Sequence, residues 1–437
     1  MEFLKKYYLL ILSIILYLII YSGIEIGPIK LLYFILVAFI PFFKFLSKEK
    51  ENLFRSLFVI LATSTITSLM MFTWAIDYSL KIYFIMVATS IILTSSIYLS
   101  IIIIHKKIKN KKNTLIILPL ILCAELIFIS QISMYTTFFN PAMALYELGI
   151  LLNFITINVF SFLIIISQNL IINKKTKKYG IIILLVFVGV ILFNNIKTEL
   201  VSEQETISVG LIQGNFFNNW NERTIDYEKI FLFYYVKSLV LLKDKPDLIV
   251  WPEYSIAHVM TDKPLMLEKI YNLSNKHNVV FVIGTMGKVL NKTYEIGDPF
   301  YDSALIIFPN KTYVQYNSSM VPPLNKNIAA KDELLIFKVK NKKIGLLLCW
   351  EESNFKKGKK YSEREIDYLI SLSNYQRFNK NKEIYNLGAY MHRIQASMNN
   401  YKTIRVSNTG ITETTNSDGV VIDQFKLFEE LEKVVRI

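Results

Sequence analysis

The chain is short of the residues from which many sites are built. It has 2 cysteines, Cys123 and Cys349, and 4 histidines, His105, His258, His277 and His392, in 437 residues. Two cysteines, one inside an apolar run, exclude a disulfide framework. With so few histidines and one cysteine in the second half, the sequence offers no spacing for a zinc site. No histidine stands in a strand-end motif that would make it the partner of a catalytic thiol. Acidic residues are scarce too: 35 Asp and Glu face 49 Lys and Arg, a formal charge of +14. That excess is not laid out for nucleic acid. Residues 1–200 carry about 18 basic against about 8 acidic side chains, in short clusters between apolar runs rather than on one face with interleaved aromatics.

What the chain has in quantity is apolar surface, with 53% hydrophobic residues and a mean hydropathy of +0.37. Seven apolar runs precede residue 200, at about 7–22, 29–47, 53–76, 80–104, 114–135, 147–172 and 179–196, most reaching the roughly 20 residues a bilayer crossing needs. The first run follows Lys5 and Lys6 but no small-residue cleavage site follows it, so it reads as an uncleaved span. The second contains Pro41 and crosses only if Lys30 and Lys44 extend their ammonium groups to the interfaces. Lysine and arginine mark every second connection: Lys5 and Lys6; Lys44, Lys48, Lys50 and Arg55; Lys106, Lys107, Lys109, Lys111 and Lys112; Lys174, Lys175, Lys177 and Lys178. The alternation predicts a cytoplasmic N-terminus, seven crossings and an outward-facing second half. Glu125 lies inside the fifth run, where a carboxylate is costly and faces protein or water.

From Ile207 the pattern changes. Short β-type runs at Ile207–Ile212, Leu248–Trp251, Val279–Ile283, Ser303–Phe308, Leu334–Lys338, Ile344–Cys349, Tyr368–Ser371 and Thr403–Val406 alternate with helical stretches at 223–242, 263–277 and 381–400. This predicts an α/β domain built on a layered sheet. The expected division is a membrane domain over 1–198 and an extracytoplasmic domain over 199–437.

Two strand ends carry chemistry. In LIVWPEYSI (Leu248–Ile256) a buried-type strand delivers Glu253; in KIGLLLCWEES (Lys343–Ser353) another delivers Cys349, followed by Trp350, Glu351 and Glu352. A thiol needs a base to become a nucleophile, and with histidine scarce a carboxylate is the better candidate. Glu253 would take the proton of Cys349.

Seven spans followed by VGLIQGNFFNNW (Val209–Trp220), LIVWPEYSI, YDSALIIFPN (Tyr301–Asn310), LLLCWEE and VSNTGIT (Val406–Thr412) resemble the bacterial apolipoprotein N-acyltransferases, membrane members of the nitrilase (carbon–nitrogen hydrolase) superfamily. The resemblance covers nearly the whole chain. It implies an αββα sandwich with a Glu–Lys–Cys triad, no cofactor and no metal, in a multi-pass protein of the bacterial inner membrane. It also implies transfer of an acyl chain from a phospholipid donor to the α-amine of a diacylglyceryl-cysteine lipoprotein. By position Glu253 matches the base, Cys349 the nucleophile and Glu351 a supporting acid, while Trp220, Trp350 and Asn374 fall where substrate is bound. Gln213 and Asn215 match the first-strand motif, and Arg405, Asn408 and Gly410 a late structural one.

The pattern is broken at several points. The triad lysine falls on Asn317 or Ser318 in YNSSMVPPLNK, and Lys326 is the alternative cation a few residues on. An acid after the family's Val-Pro is replaced by Leu324 or Asn325. The loop SNYQRFN (Ser373–Asn379) keeps Asn374 without its acid, and an expected helix glutamate is Ala396. The family's eighth span is expected after the catalytic domain, where this sequence reads VVRI. These departures leave two further readings open: an amidase or acyltransferase with another substrate, and a non-catalytic relative that binds lipoproteins.

Overall fold

The computed structural model describes residues 2–19, 25–26, 29–48, 52–108, 114–132, 157–197, 206–217, 226–321 and 328–437. Contacts divide the chain into two units, residues 1–197 with 381–387, and residues 198–380 with 388–437.

The first unit is helical: α1 (Glu2–Ile19), α2 (Ile40–Lys48), α3 (Leu53–Met71), α4 (Trp74–Tyr78), α5 (Leu80–Lys107), α6 (Thr114–Ile132), α7 (Ile157–Ile172) and α8 (Lys177–Lys197), with a small hairpin of β1 (Glu25–Ile26) and β2 (Ile29–Lys30). Among the described residues, α3 and α5 are long and apolar enough to cross a membrane; shorter apolar stretches lie at Lys6–Ile19, Phe34–Ser47 and Ser161–Ile172. Phe58, Ile66 and Met70 of α3, Ile92 of α5 and Leu185 of α8 are exposed, an outward apolar surface that water would not favour.

The stretch 29–47, expected to cross as one helix, is instead broken. It comprises β2, a 3₁₀ turn (Leu31–Leu36) and the 9-residue α2, which carries Pro41 in its first turn. Proline is tolerated there because its missing N–H would have had no partner within the helix. The backbone groups freed at the break are taken up by buried Gln168, whose Nε2 donates to Ile35 O (2.7 Å) and whose Oε1 accepts from Phe39 N (2.7 Å). Ser13 Oγ donates to Ala38 O (2.6 Å) beside it. A non-helical backbone among apolar helices requires such partners.

The second unit holds two six-stranded sheets. One runs β14–β3–β4–β5–β6–β7, with β3 (Ser208–Gln213), β4 (Leu248–Trp251), β5 (Val280–Lys288), β6 (Phe300–Ile307), β7 (Tyr313–Asn317) and β14 (Leu431–Arg436). The other runs β13–β12–β11–β10–β9–β8, with β8 (Ile336–Val339), β9 (Lys342–Leu348), β10 (Tyr368–Ser373), β11 (Lys402–Ser407), β12 (Glu413–Thr415) and β13 (Val421–Gln424). Both have a parallel centre, β3–β4–β5 and β9–β10–β11.

Alternation along each strand explains the layering. Leu248 and Val250 of β4 join Leu346, Leu348, Ile370 and Ile404 of the other sheet in one core, so the sheets pack face to face. Ile249 and Trp251 point the opposite way, into a second core with Phe231, Tyr234 and Leu241 of α9 (Tyr227–Leu241) and Ile270 and Leu273 of α10 (Pro264–His277). On the far side Leu347 and Leu369 pack with Tyr361 of α11 (Phe355–Ser362) and Tyr401, which follows α12 (Lys382–Asn399). Strands buried on both faces read as continuous apolar runs, which is why LIVW and LLL were legible as strands. The edge strands β7 and β13, and the short, polar but buried β12 beside β13, were not.

Candidate active site

Parallel strands deliver their functional groups at their carboxyl ends. β4 ends at Trp251, and the chain turns through Pro252, Glu253 and Tyr254, the last at φ 49°. The turn is held by Ser255 N donating to Pro252 O (3.2 Å) and by Ile256 N (3.1 Å) and Ser255 Oγ (2.9 Å) donating to Gly284 O. Gly284 of β5 lies hard against it: a Cβ there would sit 2.2 Å from Pro252 O and 2.6 Å from Glu253 Cα. The absence of a side chain at 284 is what lets the base lie against the sheet.

β9 ends at Leu348 and delivers Cys349 at φ 42°, in the left-handed region, at the start of a 3₁₀ turn (Cys349–Ser353). A cysteine in this conformation is strained, and such strain persists where the surroundings hold it. Here they do. Glu351, fully buried, accepts through Oε2 from Leu348 N (3.0 Å) and Tyr316 Oη (2.7 Å), and through Oε1 from Ser319 N (2.9 Å), Ser319 Oγ (2.7 Å) and Lys357 Nζ (2.8 Å). Its neighbour Glu352 is equally buried and ion-paired with Arg405 (Nε to Oε1, 2.9 Å), and Ser371 Oγ donates to it. Two consecutive acids thus pin the Cys349 turn between opposite elements.

Glu253 and Cys349 come together, and the thiol and the side chain of Asp302 on β6 are the hydrogen-bonding groups that bear on the Glu253 carboxyl, whose Oε2 is buried. Burial raises the Glu253 carboxyl from its ordinary 4.5 to about 7, against the lowering by its two hydrogen bonds and by Arg377. Burial, the Glu253 charge and the hydrogen bond to it together hold Asp302 well above the carboxylate range. Burial and the charges of Glu253 and Asp302 hold the Cys349 thiol well above 9. Such a shift favours the thiol form, so a cysteine in this place could act as a nucleophile only if its proton were taken up as the new bond to sulfur forms.

The remaining expected residues fall as follows. Trp350 is half-buried beside Cys349. Asn374 donates through Nδ2 to Glu253 O (3.4 Å) and accepts through Oδ1 from Asn408 Nδ2 (3.2 Å), tying the base's turn to the loop after β11. Asn215, at φ 55°, donates from its backbone to Asn408 O (2.8 Å) and from Nδ2 to Phe428 O (2.8 Å); Gln213 Nε2 donates to Lys426 O and Glu429 O (both 2.9 Å). These are scaffold contacts. Gly410 N donates to Ser407 Oγ (2.8 Å) in the late loop. Trp220 and Lys326, and Leu324 and Asn325 with them, lie outside the described residues, as does the side chain of Glu125.

At the triad-lysine position Asn317 Oδ1 accepts from Ser303 Oγ (2.6 Å) and Gln315 Nε2 (2.7 Å), and Ser318 N donates to Asp302 O (2.8 Å). Two site residues escaped the sequence reading. Lys357 of α11, fully buried, bonds Glu351, Ser319 Oγ (2.8 Å) and Asp332 (3.1 Å). Asp302 joins Glu253. The signal for Lys357 was its place eight residues after the cysteine in an otherwise solvated Lys-rich stretch; for Asp302 it was an acid inside the apolar strand YDSALII. Among the described residues no cluster of three or more His, Cys, Asp or Glu could hold a metal ion.

Known proteins share parts of this chain. The family model described as carbon–nitrogen hydrolase matches residues 211–430. A curated protein of Geobacter metallireducens called apolipoprotein N-acyltransferase is 24% identical over 242 residues, 51% of this chain and 46% of the relative. The chain thus spans about half the length of that relative. Among solved structures, a mutant of an amidase from Nesterenkonia AN1, of the nitrilase superfamily, is similar at 10% identity and a TM-score of 0.45, covering 55% of this chain and 93% of the amidase. A carbon–nitrogen hydrolase from Helicobacter pylori G27 is similar at 14% identity and a TM-score of 0.45, covering 53% of this chain and 88% of the hydrolase.

Proposed function

Because the chain belongs to the carbon–nitrogen hydrolase family, we propose that it is a membrane-bound N-acyltransferase in which Cys349 carries the acyl group and Glu253 moves the protons. The observation that carries this is the convergence of Glu253 and Cys349, which follow β4 and β9 in opposite sheets. The substrates are a phospholipid as acyl donor and a diacylglyceryl lipoprotein as acceptor, supported by the Geobacter relative's name and by the apolar helices. The protein would sit in the bacterial inner membrane through residues 1–198, with seven crossings, the second of them made by the broken stretch 29–47, and its N-terminus in the cytoplasm. Residues 199–437 would then face outward. Both substrates are confined to the outer leaflet, so a tethered thiol meets them without a three-dimensional search.

In the first half-reaction Cys349 Sγ bonds to the ester carbonyl carbon while its proton passes to Glu253. The C–O bond then breaks and Glu253 returns the proton to the departing lysophospholipid oxygen. In the second, the lipoprotein amine attacks the thioester, Glu253 takes the amine's proton, and Cys349 leaves as a thiol. Glu351 would position the turn, and Trp350, next to the nucleophile in the chain, would contact the acyl chain.

A non-catalytic reading is favoured by one observation, that the uncharged Asn317 and Ser318 stand where the triad lysine is expected. Intact-mass measurement of the detergent-solubilised protein after incubation with a phospholipid of defined chains decides between them. A hydroxylamine-labile adduct of one acyl mass, absent from Cys349→Ala, is expected. No adduct on the folded parent chain overturns the acyl-enzyme.

A further inference from the structure

Glu253 and Asp302 are both buried, at 5% and 6% exposure, and each carboxyl acts on the other's proton affinity by charge and by hydrogen bonding. Ionised carboxylates only accept hydrogen bonds, so two can bond only when a proton stands between them. With both groups drawn as carboxylates, Glu253 Oε2 and Asp302 Oδ1 are left buried without a donor. That is the signature of a proton unaccounted for.

One cation, Arg377, acts on Glu253, and none is among the groups that act on Asp302. Around Glu253 stand Cys349, Glu352 and Arg377; around Asp302 stand Glu253, Glu351 and the backbone of Ser303. Glu352 is engaged with Arg405, and Glu351 with Lys357. The strand next to Asp302 carries Asn317, paired with Ser303, and then Ser318, whose N–H bonds the Asp302 carbonyl. A lysine at either place would adjoin the acid pair, and neither position has one.

We propose that Asp302 is a positioning residue that keeps one proton shared with Glu253, so that a neutral carboxylic acid stands at the Cys349 nucleophile where a lysine cation is otherwise expected. The inference rests on Glu253 being the base for Cys349. The Asp302 O–H donates to one oxygen of Glu253 and leaves the other free to receive the thiol proton. When that proton arrives the pair is neutral, and the negative charge has moved to the carbonyl oxygen under attack. The net charge of Glu253, Asp302, Cys349 and the bound acyl group stays at minus one throughout, and one proton is returned to the leaving group.

The test is the rate at which iodoacetamide alkylates Cys349 from pH 6 to 10, read on the Cys349 peptide by mass spectrometry so that Cys123 does not contribute. The thiolate displaces iodide, and neither phospholipid nor lipoprotein is needed. Failure here is therefore separate from failure of the acyltransferase reading. A neutral Asp and an Asn are electrostatically alike, so Asp302→Asn at pH 7 should alkylate within about threefold of the parent chain. Above the pH at which the pair gives up its proton it should be faster by about tenfold or more, because one carboxylate has gone from beside the thiolate. Acceleration of about tenfold already at pH 7 means Asp302 is ionised there and overturns the proposal. Equal rates at every pH overturn it as well. If Asp302→Asn does not fold, infrared spectra of the parent chain and of Glu253→Gln decide. A protonated-carboxyl C=O band at pH 7 that Glu253→Gln displaces is expected, and its absence refutes the shared proton.

Discussion

Replacing Glu253 by Gln should make the protein more stable at pH 8 while abolishing acyl transfer. Burial moves the Glu253 carboxyl from 4.5 to about 7. A carboxyl raised on folding contributes stability that is fully present below its unfolded value and is lost as the pH climbs through its folded value. The window here runs from about 4.5 to 7. At 1.36 kcal/mol for each unit of pKa, the ionised base costs about 3 kcal/mol at pH 8, an order-of-magnitude figure because Glu253 and Asp302 titrate together. Gln has nearly the same shape, carries no charge, and its amide can donate to Asp302. For a folded unit of this size each kcal/mol moves Tm by about 2–4 °C, so Glu253→Gln should melt about 6–12 °C higher at pH 8. At pH 4.5 both chains hold a neutral side chain and the difference should fall to about 2 °C or less. Thermal melts of the detergent-solubilised protein at the two pH values test this. A variant less stable than its parent at pH 8, or a gain independent of pH, would refute the account of Glu253 as a base held at a cost in folding energy.

Lys357→Met leaves Glu351 buried without its cation, and breaking such a pair costs about 3–5 kcal/mol. Melting about 10 °C lower, with much of the loss recovered in Lys357→Met combined with Glu351→Gln, is the expected outcome of a thermal double-mutant cycle. Simple additivity would show that the two side chains do not act as a pair. Gly284→Ala drives a Cβ into Pro252 O and the Cα of Glu253; the turn must shift, and acyl-adduct formation should fall about a hundredfold, the scale of a roughly 1 Å misplacement. Adduct formation at the parental rate in a burst assay would mean the turn can move without cost.

The positions of Glu253 and Cys349 were readable because each depends on local sequence, a run of apolar residues ending abruptly in one reactive side chain. Burial on both faces makes a central parallel strand an unbroken apolar string, so its end is marked in the sequence. The long helices α9, α10 and α12 were readable for the same reason, their patterns being internal to one segment. Edge strands such as β7 and β13 carry half-exposed mixed residues and leave no such mark. The stretch 29–47 was misjudged as a single helix because hydropathy records how apolar a segment is and not where its hydrogen bonds go; Gln168, about 130 residues away in sequence, satisfies the break.

The partners of Asp302 and Lys357 were decided by the tertiary structure. Asp302 meets Glu253 because β4, β5 and β6 are successive neighbours in one sheet, and sheet order is a property of the whole chain. Lys357 sits in a stretch, NFKKGKK, whose lysines look alike as letters. Only packing α11 against the turn after β9 buries one of them beside Glu351 while Lys360 remains exposed on Asp332. The sequence by itself determined that Glu253 and Cys349 stand at strand ends, because backbone periodicity is local. The fold decided the charge that surrounds them, because electrostatic neighbours are set by which segments are brought together and how far water is excluded from between them.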